Sequence, residues 1–229
     1  MNKLLTILIV VFANCLVVQA CSCIKYDKID LQQFMNYNSI FEAKIISVNK
    51  REVDSDFNTS YNFYQKEIVV SITKIYKGDI NENTITIYTP LDGGACGLPF
   101  KPNEKWVIYA NSEYDELHAN LCSRSFLKGK KRGTTTKWRK DKCFIKKYVD
   151  YTGLVEDDSA KGELLNGLPI GEWAFYNLRD GKLSKKAFYN EQHLLHGEMQ
   201  YFDQDGFVFA RSVYDNGVLV TAVHNSKVF

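Results

Sequence analysis

The chain has 229 residues, of which 29 are Lys or Arg and 27 are Asp or Glu, so its formal net charge is only +2. A charge so close to zero excludes a global electrostatic attraction to nucleic acid or to acidic membranes. Aromatic and β-branched residues are abundant and only 4 prolines occur, which favours an all-β or α+β globular protein over disorder.

Residues 1–20 have the pattern of a secretory signal peptide. Lys3 supplies a short positive start, Leu4–Phe12 is a mostly apolar run, and Val18-Gln19-Ala20 is a small-residue cleavage site. The apolar run is too short for a comfortable membrane span, and no later segment is long enough. The sequence therefore predicts a secreted or periplasmic protein whose mature chain begins at Cys21.

The same residues permit a second interpretation. Val18-Gln19-Ala20-Cys21 also fits a loose bacterial lipobox, in which Cys21 is lipidated and anchors the protein to a membrane. The two interpretations predict opposite chemistry, because an acylated Cys21 has a blocked sulfur and no free α-amine. Contact with a membrane is expected only if Cys21 is lipidated.

Residues 21–148 are predicted to form the first domain. Its predicted strands are rich in Ile, Val, Thr and Tyr, and they are Ile40–Val48, Glu67–Tyr76, Thr84–Thr89 and Trp106–Ala110. Short helices are predicted within Lys25–Asn38 and Lys137–Tyr148. Four or five strands with one or two helices favour a small closed β-barrel, because closure removes exposed strand edges.

Removal of the signal peptide leaves five cysteines, Cys21, Cys23, Cys96, Cys122 and Cys143. Cysteines at such long separations in an exported protein indicate disulfides rather than a zinc site. Because five is an odd number, at least one thiol must be free, lipidated or bonded to another chain.

Residues 163–224 contain an internal repeat, which follows a predicted acidic linker over residues 149–162. Gly171–Tyr176 is echoed by Gly197–Phe202 about 26 residues later, and Asp180-Gly181 recurs as Asp205-Gly206. Self-similarity at a fixed period indicates a repeat array. Each unit is predicted to be a β-hairpin turning at Asp-Gly, and such units must stack to bury their aromatic residues.

The first domain resembles the tissue inhibitors of metalloproteinases, in the netrin-like family. The motifs that carry this resemblance are, in order, Cys21-Ser22-Cys23, residues 67–80, residues 84–90, Ala95-Cys96-Gly97, residues 105–110 and Asn120-Leu121-Cys122. The resemblance implies a five-stranded barrel of the oligonucleotide/oligosaccharide-binding (OB) type, with disulfides Cys21–Cys96 and Cys23–Cys122. Phe34-Met35 occupies the place of a third family cysteine, which leaves Cys143 unpaired.

The resemblance also implies a mechanism. The free α-amine and carbonyl of Cys21 would chelate the catalytic zinc of a target protease, in the position that such sites keep open for water. The side chain of Ser22 would enter the specificity pocket, flanked by Ile24 and the loop Gly94-Ala95-Cys96. Lys25 departs from the family pattern, and netrin-like modules also occur in proteins that inhibit nothing, so a non-inhibitory binding role stays open.

The second part resembles bacterial MORN-type repeats, which serve as scaffolds for varied partners. Its aromatic residues form either a recognition stripe or, as the favoured interpretation, a stacked core; they are Trp173, Phe175, Tyr176, Tyr189, Tyr201 and Tyr214.

Other candidate sites carry weaker signals. His193 and His196 have metal-ligand spacing but lie in a predicted hairpin turn without the Glu of a zinc protease. The basic stretches Lys128–Arg132 and Lys137–Lys140 indicate either a solvated connector or a contact with a polyanion or anionic lipid. No catalytic residue, intrinsic metal site or cofactor is predicted, and an enzyme is not expected.

The sequence as a whole predicts an exported protein that binds other proteins and not nucleic acid. Inhibition of a zinc metalloprotease is its sharpest specific hypothesis. A non-inhibitory adaptor and a surface lipoprotein are the alternatives.

Overall fold

The structure is a computed structural model, and it describes residues 23, 28–53, 63–91, 96–113, 116–129 and 132–224. Within these ranges the protein is mainly β, with two helices, α1 (Leu31–Asn36) and α2 (Arg132–Tyr148). The first six strands are β1 (Ser39–Val53), β2 (Phe63–Lys77), β3 (Thr84–Pro90), β4 (Lys105–Glu113), β5 (Glu116–His118) and β6 (Phe126–Leu127). Strands β7 to β13 are Gly153–Glu156, Ala160–Leu165, Leu168–Tyr176, Leu183–Tyr189, Gly197–Phe202, Val208–Asp215 and Val218–His224.

Strands β1 to β5 form a closed barrel, as the sequence predicted. The strands are hydrogen-bonded in the order β1-β2-β3-β5-β4, and a further pairing of β1 with β4 closes the ring. Strand β3 is parallel to β5, whereas β2 with β3 and β4 with β5 are antiparallel. The four predicted strands lie within β1 to β4.

The barrel interior follows from the alternation of residues along its strands. In β2 and β3 the buried residues recur at every second position, and opposite partners such as Ile68 and Ile87 are both fully buried. Successive side chains of a strand point to opposite faces, so these residues share the interior face. The same alternation places two polar residues, Lys66 and Thr89, on that face as directly opposed partners.

Strand β6 pairs with β4 beside the barrel, and strands β7 to β13 form a separate antiparallel sheet in sequence order. The two predicted hairpins are β9–β10 and β11–β12, and their turns contain Gly181 and Gly206, which both have positive φ angles. The hairpins also share a register, because Gly171 lies opposite Tyr189 and Gly197 lies opposite Tyr214. The predicted hairpin positions are therefore confirmed.

Helix α1 is anchored at both of its ends by side chains from elsewhere in the chain. Its first amides are satisfied, because Leu31 N donates to Asp157 Oδ2 (2.9 Å) and Gln32 N donates to Ser159 Oγ (3.0 Å). Near its end, Lys77 Nζ donates to the carbonyl of Phe34 and lies 4.0 Å from the centroid of the Phe34 ring. Burial lowers the pKa of the Lys77 ammonium to about 7.

The segment over residues 149–162, predicted to be a linker, contains β7 and the start of β8. Asp157 does not extend into solvent. Its Oδ1 accepts hydrogen bonds from Ser159 N (2.8 Å) and Ala160 N (3.1 Å), which form the β7–β8 turn, while its Oδ2 caps α1. The acidic residues that suggested a linker therefore include a turn-forming and helix-capping carboxylate.

The described residues divide into two compact units, and the division differs from the one predicted. One unit contains residues 42–73 and 81–127 together with Cys23, and the other contains residues 28–41, 74–80 and 128–224. Helices α1 and α2 therefore belong to the unit that holds the second sheet. None of the described helices is long and apolar enough to cross a membrane.

Candidate binding site at the cysteine cluster

Three cysteines of the barrel unit are disulfide-bonded. Cys23 is joined to Cys122 across 99 positions of sequence, which is the pairing that the family resemblance implied. Cys96 is also disulfide-bonded, and its partner lies outside the described residues. Cys143 is free and exposed on α2, as expected from the resemblance. The start of the predicted mature chain is therefore covalently attached to the segment that follows β5.

A backbone hydrogen bond brings the Cys96 segment to the Cys122 segment. Leu121 N donates to the carbonyl of Cys96 at 2.8 Å. The turn that presents Leu121 is organised by Asn120, whose Oδ1 accepts from Cys122 N (2.9 Å) and Ser123 N (3.0 Å). An Asn side chain that bonds the backbone two residues later is a common turn former. Cys23, Cys96 and Cys122 thus form one cluster, here called the cysteine cluster.

The backbone at Gly97 lies too close to the end of β3 to admit a side chain. A Cβ atom at Gly97 would lie 1.9 Å from the carbonyl oxygen of Pro90 and 2.6 Å from that of Leu91. Gly97 N donates to the Leu91 carbonyl at 3.0 Å. The preceding residue, Cys96, has a φ angle of 64°, in the left-handed region that side-chain-bearing residues adopt infrequently. The hydrogen bonds from Gly97 N to the Leu91 carbonyl and from Leu121 N to the Cys96 carbonyl hold this unusual backbone conformation.

The next residue, Leu98, is held from inside the barrel. Lys66 Nζ donates to the Leu98 carbonyl, and Leu98 N donates to Thr89 Oγ1 at 3.0 Å. Lys66 and Thr89 are opposed partners on β2 and β3, and both are buried. A buried polar group costs free energy unless it is hydrogen-bonded, so this polar pair is stable because it binds both backbone groups of Leu98.

The structure places some of the predicted site residues and does not describe others. Cys23 and Cys96 are both in the cysteine cluster. The remaining predicted target-binding residues, Cys21, Ser22, Ile24, Gly94 and Ala95, lie outside the described residues. The Cys21–Cys96 pairing consequently stays a prediction.

Sequence reasoning missed the residues that hold the cluster in place. The role of Asn120 could have been predicted from the sequence, because an Asn two residues before Cys122 is a turn signal. Lys66 and Thr89 gave no such signal, because a single Lys and a single Thr in alternating strands are typical of solvent-facing positions. Only the closure of the barrel shows that they point inward.

The described part of the site presents a backbone surface that is held by covalent and hydrogen bonds. Its backbone is fixed by the Cys23–Cys122 disulfide and by hydrogen bonds at Cys96, Gly97 and Leu98. The Leu121 side chain, beside the cluster, is 48% exposed and available for an apolar contact. Within the described part of the chain, no group of three or more His, Cys, Asp or Glu side chains is placed to hold a metal ion.

The aromatic residues of the second sheet divide between core and surface. Trp173 and Phe175 are fully buried, and the Trp173 ring covers Gly162 of the neighbouring strand, where a Cβ would lie 2.2 Å from the ring. Lys185 lies with its Nζ 4.2 Å from the Phe175 centroid, and burial lowers its pKa. Tyr189 is also largely enclosed, and burial raises the pKa of its hydroxyl to about 12. Trp173 and Phe175 are thus core residues, while Tyr176, Tyr201 and Tyr214 remain partly exposed.

The two histidines with metal-ligand spacing lie in an irregular turn, as predicted. His193 has a φ angle of 64° and its Nδ1 lies 3.0 Å from the Pro169 carbonyl oxygen. His196 Nδ1 lies 3.4 Å from an oxygen of Asp215. The two rings therefore have different partners.

Comparison with known proteins gives no family assignment. No protein-family model matches the chain, and no curated protein matches it.

Proposed function

We propose that the chain is an exported protein-binding protein and that its specific activity is inhibition of a zinc metalloprotease through the N-terminal Cys21. One observation carries the proposal. The Cys23–Cys122 disulfide joins Cys23 to the Cys122 loop, and the hydrogen bond from Leu121 N to the Cys96 carbonyl joins that loop to the Cys96 loop. This is the arrangement that an inhibitor of the tissue-inhibitor type requires around its terminus.

The strand order supports an OB-type barrel for this unit. A five-strand ring in which β3 lies beside β5 is expected of such a barrel. Closure leaves the ring without free edges, so recognition by this unit falls to its loops and its N-terminal segment. In the proposal, those loops are the ones that contain Cys96 and Cys122.

The chemistry depends on the state of the Cys21 amine. A terminal amine has a pKa near 7.7–8.0, so an appreciable fraction is neutral at physiological pH and offers a lone pair to zinc. In the proposed complex the amine and the carbonyl of Cys21 displace the water on the protease's metal. Ser22 enters the specificity pocket, and Ile24, Gly94 and Ala95 contact the protease around it.

In this proposal the described residues make the binding terminus rigid. A flexible terminus would lose conformational entropy on binding, and immobilising it beforehand reduces that cost. The disulfide at Cys23 and the inward-facing pair Lys66 and Thr89 supply this rigidity from the barrel side. Lys66 and Thr89 are thus proposed as positioning residues for the loop.

The first experiment is an intact-mass and N-terminal peptide analysis of the mature protein from its own host. A free Cys21 amine, with the Cys21 sulfur bonded to Cys96, supports the proposal. Inhibition is then measured against a panel of zinc metalloproteases, using the mature protein, a Ser22→Ala variant and a variant extended by one N-terminal Ala. We expect the extension to abolish inhibition, because it moves the free amine away from the chelating position, and Ser22→Ala to weaken it.

The matched control is Ser212→Ala, a serine substitution on β12 of the second sheet that leaves the terminus and the Cys96 and Cys122 loops unchanged. It should inhibit as the unmodified protein does. Inhibition that survives the Ala extension would refute the chelation mechanism. A protein with a free terminus that inhibits no member of the panel leaves only a general binding role.

The second candidate function is a surface lipoprotein that acts as an adaptor through its second sheet. The observation that favours it is the exposed apolar surface of β13, where Val218 is 67% and Val220 is 63% exposed. Apolar groups on a terminal strand are typical of surfaces that bind other proteins. A diacylglycerol or acyl group on Cys21 in the mass analysis would establish this alternative and end the chelation mechanism.

A further inference from the structure

Helix α2 has two faces of opposite character. Its buried residues are Trp138, Asp141, Ile145 and Tyr148, which recur at three- and four-residue spacing and so lie on one side of the helix. The residues classed as exposed are Thr135, Thr136, Arg139, Lys140, Lys142, Cys143, Lys146 and Lys147. At about 100° per residue these fall within one arc of roughly 160°. All five charged residues in that arc are basic.

The one acidic residue of this helix does not neutralise the exposed arc. Asp141 is 1% exposed and its Oδ1 accepts a hydrogen bond from Ile29 N at 3.1 Å. Arg139, Lys140, Lys142 and Lys146, here called the basic face, make no ion pair among the described residues. Lys147 is different, because its Nζ is 2.8 Å from the hydroxyl of Tyr148.

This distribution is unlike that of an ordinary solvated helix. Exposed helices usually alternate acids and bases, since opposite charges three or four residues apart stabilise the helix and like charges destabilise it. Here Arg139 and Lys142 are three residues apart, and Lys142 and Lys146 are four apart. Their mutual repulsion is relieved when an anion lies between them.

We propose that the basic face of α2 binds a linear anionic polysaccharide. Arg139 to Lys146 spans about 10 Å of helix axis at roughly 1.5 Å per residue. Four uncompensated positive charges in that distance match the close charge spacing of a sulfated or carboxylated chain. Binding a polyanion of this kind releases its condensed counterions, which makes the interaction strongly dependent on salt.

The exposed arc disfavours two other polyanionic partners. A helix that inserts into a membrane surface presents large apolar residues beside its bases, but Trp138 and Ile145 are both buried here. A surface for single-stranded nucleic acid offers aromatic rings on which bases stack. The exposed arc contains no aromatic residue, and Tyr148 is buried.

The test measures binding of the whole chain to fluorescent heparin, a linear sulfated polysaccharide, over a range of salt concentrations. The variant Arg139→Gln, Lys142→Gln, Lys146→Gln removes three charges with side chains that favour a helix. At about 0.7 counterions released per contact, the slope of log K against log salt should fall by roughly two, and affinity near 0.1 M salt by about 10- to 100-fold. The matched control, Lys44→Gln, Lys101→Gln, Lys105→Gln, removes three exposed charges elsewhere and should leave both quantities unchanged.

Parallel titrations use vesicles containing phosphatidylglycerol and, separately, a single-stranded DNA. Weaker binding of both than of heparin is expected. Equal salt slopes for the α2 variant and the unmodified protein would overturn the proposal, provided that circular dichroism shows both to be folded. Tighter binding of vesicles or DNA through the same three residues would also overturn it, and would identify the partner as a membrane or a nucleic acid.

Discussion

Removal of the Cys23–Cys122 disulfide should destabilise the barrel unit strongly. The bond joins residues 99 positions apart, and both lie in that unit. A cross-link restricts the unfolded chain, and the chain-entropy model gives about 4.7 kcal/mol at 25 °C for a loop of about 100 residues. Because Cys96 carries a second disulfide, the loop that this bond closes is shorter, and the expected value is about 3–4 kcal/mol. Marginal domains have total stabilities of about 5–15 kcal/mol, so this is a large share.

The variant Cys23→Ser, Cys122→Ser removes both sulfurs, so that no unpaired thiol remains at the cluster. Urea unfolding at equilibrium should show a loss of about 3–4 kcal/mol relative to the unmodified protein. Amide hydrogen exchange should report the same loss of stability in β2 and β3, where the protection factors of the backbone amides should fall by about a thousandfold.

Cys143→Ser is the matched control, because this thiol is free and exposed and its loss should leave stability unchanged. If the double variant unfolds within about 1 kcal/mol of the Cys143→Ser protein, the assigned role of the disulfide is refuted. The entropic reasoning would then fail for this barrel.

Two further outcomes follow from buried polar groups. Thr89→Val, which leaves the buried Leu98 N without its acceptor, should cost about 1–3 kcal/mol in urea unfolding, and an unchanged midpoint would contradict the assigned hydrogen bond. The pKa of Lys77 is about 7 in the folded state, whereas its ordinary value is 10.5. Between about pH 7 and pH 10.5 the unfolded state therefore binds more protons than the folded state. The free energy of unfolding should rise with pH over this range, by at most about 1.4 kcal/mol per pH unit. Lys77→Met should remove this rise while the exposed control Lys74→Met keeps it, and an equal rise in both variants would show that another group titrates.

The sequence predicted the elements of this fold well because their signals are local. Alternating Ile and Val residues in 67–76 and 84–89 indicated strands, and β2 and β3 contain them. The Asp-Gly pairs indicated hairpin turns, since glycine adopts positive φ without strain, and both turns are present. The OB-type barrel and the repeat family are finer assignments that rest on resemblance and stay predictions.

Composition alone does not show where a carboxylate is used, and the segment predicted as a linker illustrates this. Residues 156–158 read as a solvated acidic stretch, yet Asp157 caps a helix that begins 126 positions earlier in the chain. The sequence left two interpretations of the basic stretch around residue 138, a solvated connector and a binding surface. Folding buries Trp138 and Asp141, so that every charged residue on the exposed side of α2 is basic.

The sequence by itself determined the strand and hairpin positions and the cysteine content of the candidate site. These depend on residues close together in the chain, whose side-chain periodicity and turn chemistry act over a few positions. The tertiary structure decided which polar residues point inward, as Lys66 and Thr89 do, and what they hold. It also decided that Leu121 and Cys96 meet beside the cysteine cluster. Such contacts span tens of positions, and only the closed ring of strands brings them together.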